Sequence, residues 1–182
     1  MGGAVLYHRK YGKLTPNAWL SCEMEQSNPL IMLTVGILLT VAGILVRINV
    51  GSPYRTILEL GVGDMIPPAW LMAAAWTLSF FIVGCAGGFV FAYRTAGQSI
   101  EKYKGCMYFV LLCVLELCWY PTLFGKGFVF LSVLLCVLIL CLSLVTTFCF
   151  YRVTSFSGML MLFHDVWLIY MLLLNFAVLF RA

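Results

Sequence analysis

A chain of 182 residues with 63% hydrophobic and only 10% charged residues falls far short of the roughly 25% charged residues of a soluble domain. With a mean hydropathy of +1.03, it cannot hide its apolar surface in a water-exposed fold, so its solvent is lipid and a large soluble domain is excluded. The net charge of +4 is read as topology and contact with anionic headgroups rather than nucleic-acid binding, since no aromatic-interleaved basic patch is present.

Backbone groups in hydrocarbon must be paired internally, which leaves helices or a closed barrel. The apolar runs are long and continuous, which selects helices. The expected fold is therefore all-α: an integral membrane bundle of five transmembrane helices over residues 30–182, preceded by a polar N-terminal extension of residues 1–29. The extension carries Arg9, Lys10, Lys13, Glu23 and Glu25, and its Trp19 suits headgroup level. The first helix is expected from Leu30 to Val46. Residues 47–65, with Gly51, Pro53, Gly61 and Gly63, form the longest connection and the best candidate for a lid over a pocket. The second helix starts near Pro67–Pro68, where a missing N–H does no harm, and runs to Tyr93. Arg94 to Lys104 reads as a polar loop. The third helix covers Gly105 to Tyr120, and Pro121 ends or kinks it. After a tight turn at Phe124–Gly127, the fourth helix covers Phe128 to Tyr151 and the fifth Gly158 to Phe180.

With the N-terminus inside, one side holds seven Lys and Arg (Arg9, Lys10, Lys13, Arg94, Lys102, Lys104, Arg152) and the other four (Arg47, Arg55, Lys126, Arg181). This predicts a cytoplasmic N-terminus.

Ionisable residues inside the spans need a reason, because a charge at mid-membrane costs several kcal/mol. Glu116 in the third helix either lines a polar pocket or glues helices together by a hydrogen bond. His164 and Asp165 lie nearer the start of the fifth helix, and headgroup contact is the plainer expectation for them. A haem ligand would want a second histidine in the bundle, and none is there, so no metal site is expected. Of eight cysteines, seven lie within or beside apolar runs and none forms a CxxC pair, which reads as small apolar packing groups. Gly84 and Gly88 form a GxxxG, a close-packing signal or a dimer seam. Trp70, Trp76, Trp119 and Trp167 can form an interfacial belt or stack on a flat ligand. Trp70 and Trp76 lie about 9 Å apart along one helix, so they cannot share one interface. No nucleophile–base pair, phosphate loop or nucleotide fingerprint appears.

The blocks around these tryptophans resemble the translocator protein family, also called tryptophan-rich sensory proteins or peripheral benzodiazepine receptors. Pro67-Pro68-Ala69-Trp70 followed by Trp76-Thr77-Leu78 is similar to the family's PPxW…WTxLY. Leu115-Glu116-Leu117-Cys118-Trp119-Tyr120-Pro121-Thr122-Leu123-Phe124-Gly125 resembles LNxxWxPxFFG. Trp167 through Leu174-Asn175 resembles WxxxxxxLN. The resemblance implies five helices around a pocket open toward the connection between the first two, binding tetrapyrroles such as protoporphyrin IX. By motif, the two pocket tryptophans fall on Trp70 and Trp167, which are also the candidates for a reactive role. Trp119, Glu116, Met171, Leu174 and Asn175 complete the implied ligand-binding set. Glu116 stands where the family has Asn, and Met171 where animal members have a small Ala.

The expectation is thus a membrane receptor or sensor for a flat apolar ligand, most simply a porphyrin, with no required cofactor and the lipid bilayer as its partner. Many members are dimers, so a homodimer is also expected. A bacterial cell membrane is the expected location. The alternatives are an enzyme promoting light- and oxygen-dependent porphyrin breakdown, and a small-molecule transporter coupled through Glu116.

Overall fold

The computed structural model describes residues 27–51, 67–94 and 100–181. Residues 1–26 of the N-terminal segment and residues 52–65 of the proposed lid lie outside the described residues. Among the described residues the chain is all helical, with five helices long and apolar enough to cross a membrane. They are α1 (Pro29–Val50), α2 (Ala69–Ala92), α3 (Ile100–Tyr120), α4 (Val129–Val153) and α5 (Ser155–Arg181).

The boundaries follow local chemistry. Asn28 caps α1: its Oδ1 accepts the Leu30 N–H at 3.0 Å, and Pro29 takes the first turn. Gly51 ends α1 with φ 102°, a conformation that favours glycine, and its N–H donates to Arg47 O. Several boundaries differ from the sequence expectation: α1 runs on to Val50 and α5 starts at Ser155. α3 begins at Ile100, so the expected polar loop is partly its first turn; Glu101 there pairs with Arg152 of α4 at 3.3 Å. α3 ends at Tyr120 as expected, directly before Pro121. That proline opens a π-helical turn, Pro121–Gly125, closed by the Lys126 N–H donating to Pro121 O at 3.0 Å. The wider turn leaves room for a ring that would otherwise crowd the preceding carbonyl.

The helices form a ring in the order α1, α2, α5, α4, α3, closed by lighter contacts of α3 with α1 and α2. Glycines set the closest approach. An added Cβ on Gly84 would lie 2.8 Å from Gly36 Cα, and one on Gly88 would lie 2.9 Å from Met32 Cα. The GxxxG face is therefore occupied by α1 of the same chain, and it leaves no free seam for a second copy. Next to it, Ser157 Oγ donates to Ala86 O at 2.7 Å and ties α5 to α2.

The radial pattern is the reverse of a soluble protein. Leu38, Leu111, Phe148 and Phe163 point outward, whereas Ser79, Glu116, Ser132, Ser143, Thr147, His164, Asp165 and Asn175 are buried. Lipid replaces water as the outer solvent, so polar groups must find one another inside.

Candidate ligand-binding site

α5 carries the polar centre of the bundle. Its adjacent His164 and Asp165 are 2% and 3% exposed, so the expectation of interfacial headgroup contact is overturned. His164 Nδ1 lies 2.7 Å from Ser79 Oγ of α2, and Nε2 lies 2.6 Å from Glu116 Oε1 of α3. Asp165 turns the other way and accepts hydroxyls of Ser143 and Thr147 from α4. Two consecutive residues on a helix point about 100° apart, so one dipeptide binds three neighbours. The sequence signal was present: four Ser and Thr at 132, 143, 146 and 147 fall in a span otherwise too apolar to need them.

Above this centre, toward the end where α2 begins and α3 finishes, lies a small cavity. Trp76 and Phe80 come from α2, Glu116 and Trp119 from α3, and Cys136 and Ile139 from α4. α5 supplies His164, Trp167, Leu168 and Met171. Trp76 is the hub of the rings. It stacks on Trp119 at 5.4 Å and 18°, and meets Trp167 edge-on at 6.3 Å and 84°. Tyr120 approaches the same ring edge-on at 5.2 Å. These are favoured offset and T-shaped geometries.

Glu116, Trp119, Trp167 and Met171 of the sequence-derived set thus meet at one cavity. Trp70 does not. It is 70% exposed in the first turn of α2, at the level where an aromatic belt sits. Six residues of helix turn the chain by about 240°, so Trp76, rather than Trp70, faces inward. The motif drew attention to both tryptophans, and only the helical face distinguishes them: Met72, Trp76, Ser79, Phe80 and Val83 form one inward stripe.

Leu174 and Asn175 are buried beside the cavity but do not line it. Asn175 acts at one remove. Its Oδ1 accepts Ser132 Oγ at 2.9 Å, and Ser132 O accepts the Trp119 indole N–H at 3.1 Å. Asn175 Nδ2 donates to Met171 O at 2.7 Å, which fixes the amide. The chain Asn175–Ser132–Trp119 holds the indole flat against Trp76.

The cavity holds about 20 Å³, room for roughly one water molecule. Drug-sized ligands occupy pockets of about 300–1,000 Å³, so a flat ligand enters only by parting the rings.

No curated protein and no solved structure matches the chain. The family model described as TspO/MBR family matches residues 29–181, which takes in all five helices and every residue of the cavity, and the chain belongs to the TspO/MBR family.

Proposed function

We propose that this protein is a membrane receptor or sensor that holds a flat, largely apolar ligand, most simply a porphyrin, among the indoles of Trp76, Trp119 and Trp167. The observation that carries the reading is the convergence of three tryptophans from three helices on one cavity, with a carboxylate at its floor. Indole faces supply large stacking area at little entropic cost, and one or two placed polar groups orient the ligand. Membership of the TspO/MBR family supports the same kind of function.

The test is quenching of tryptophan fluorescence by protoporphyrin IX in the dark, on full-length protein in non-ionic detergent. Saturable quenching is expected, weakened about tenfold by Trp76→Phe or Trp167→Phe, each loss being of the order of one aromatic contact. Trp70→Phe removes a ring outside the cavity and leaves affinity unchanged. If Trp70→Phe alone weakened binding, the ligand would sit at the membrane interface and the cavity assignment would fail.

A further inference from the structure

One atom in the cavity is unexplained by packing. Glu116 is 5% exposed and lines the cavity, and its Oε1 is held by His164 at 2.6 Å. Its second oxygen, Oε2, is buried without a hydrogen-bond partner among the described residues. A buried acceptor left unpaired costs about 1–3 kcal/mol, more if it carries charge. Oε2 is an acceptor whenever the Glu116–His164 pair keeps its proton on the Nε2–Oε1 line, whichever of the two atoms holds it. A donor is therefore what the site lacks.

The surroundings say which donor. The polar centre contains two carboxyl groups, Glu116 and Asp165, and one imidazole. Two positive charges or two added protons would neutralise it, and the chain brings one imidazole. No Lys or Arg lines the cavity. The cavity that Glu116 lines is otherwise mostly apolar, and Trp76, Trp119 and Trp167 are its largest rings. Indole faces carry negative electrostatic potential and attract cations, more strongly where water is excluded. The lining offers few polar groups besides Glu116 and His164, whereas a buried water is held by two to four partners.

From this we infer that the cavity selects ligands bearing a protonated amine, which donates to Glu116 Oε2 while the tryptophans flank it. This rests on the cavity being the ligand site, as proposed above, and adds the charge of the group that reaches its floor. A ligand carboxylate would bring a second acceptor to Oε2 and no donor, so the carboxylates of a porphyrin would stay at the mouth.

The test uses three probes with one flat body: 2-naphthylmethylamine, 2-naphthylmethanol and 2-naphthoate. They are titrated against full-length protein in non-ionic detergent at neutral pH, read by tryptophan quenching and by competition with protoporphyrin IX. The amine is expected to bind about tenfold tighter than the alcohol, as a desolvated cation–π contact with a hydrogen bond to a carboxylate allows, with the naphthoate weakest. In Glu116→Gln the amine should lose its advantage while the alcohol keeps its affinity. The wild-type ranking stands as a test even if the variant does not fold. Equal saturable binding of amine and alcohol, or an amine preference that survives Glu116→Gln, overturns the proposal and leaves the cavity as the site. Saturable binding of none of the three, with no competition against protoporphyrin IX, overturns the cavity reading and this proposal with it.

Discussion

At the scale of single residues, His164 is the side chain on which most depends. It bridges Ser79 and Glu116 with both ring nitrogens engaged. His164→Leu would leave Glu116 with neither oxygen partnered and Ser79 without its ring acceptor. Removing one member of a buried pair costs about 3–5 kcal/mol, most of it the penalty on the group left behind. The double variant His164→Leu, Glu116→Leu removes both ends together, so it is expected to recover most of that loss. Unfolding of the purified protein by SDS titration gives both numbers, and equal losses in the single and double variants would show that the pair contributes little. Glu116 was legible in the sequence because an acid in an apolar run demands a partner. His164 was misplaced because its position along the helix suggested the interface. Its depth is set by α5 starting at Ser155, three residues before the expected start, and by an inner face, His164–Leu168–Met171–Asn175, spaced at helical intervals.

At the scale of elements, the α1–α2 crossing shows how glycine position differs from glycine content. A Cβ on Gly84 would meet backbone, Gly36 Cα at 2.8 Å and Val35 O at 2.9 Å, so α1 must move as a whole. A Cβ on Gly36 would meet Cys85 Sγ at 2.6 Å and the Phe81 ring, side chains that can turn away. Gly84→Ala is therefore expected to destabilise by about 1–3 kcal/mol, the usual range for overpacking. Gly36→Ala should stay within about 1 kcal/mol of wild type, since the helical gain of alanine over glycine is of that size and offsets the rotamer change. Thermal unfolding in one detergent ranks the two, and the reverse order would mean that α1 and α2 do not touch as described. The GxxxG in α2 announced a close crossing in the sequence, but not its partner. α1 offers Gly36 and Gly43 seven residues apart on one face, and nothing in a one-dimensional pattern says whether such a face meets its own chain or another. The five helices themselves were plain, because in lipid each must be long, apolar and self-paired. Their ends were read less well, as at Ile100 and the π-helical turn after Tyr120, where charged residues and proline are accommodated rather than excluded.

At the scale of the whole molecule, the cavity holds about 20 Å³, and it can accept a flat ligand only after Trp76 parts from Trp119 and Trp167. Both Trp76 and Trp167 are partly exposed, whereas Trp119 is buried at 3% and anchored through Ser132 and Asn175. The moving rings are therefore those of α2 and α5, with α3 as the fixed wall. Collective helix adjustments of this kind take microseconds to milliseconds, so opening limits binding once the ligand is concentrated enough for encounter to be faster. Two consequences follow for porphyrin binding measured by stopped-flow quenching. The observed rate should rise with ligand concentration and then level off, because opening becomes limiting. The apparent affinity should also be weaker than that of the open form by the fraction of protein that is open. Trp76→Ala removes the ring that wedges the others together, so the plateau should rise or vanish even though the lost stacking weakens binding and removal of a large, partly buried ring costs less stability than the ~3–5 kcal/mol of a fully buried one. A rate that climbs linearly in the wild type over the whole concentration range would mean that the rings part faster than ligand arrives. The aromatic cluster would then be an open platform rather than a gate, and selection among ligands would fall to Glu116 at its floor.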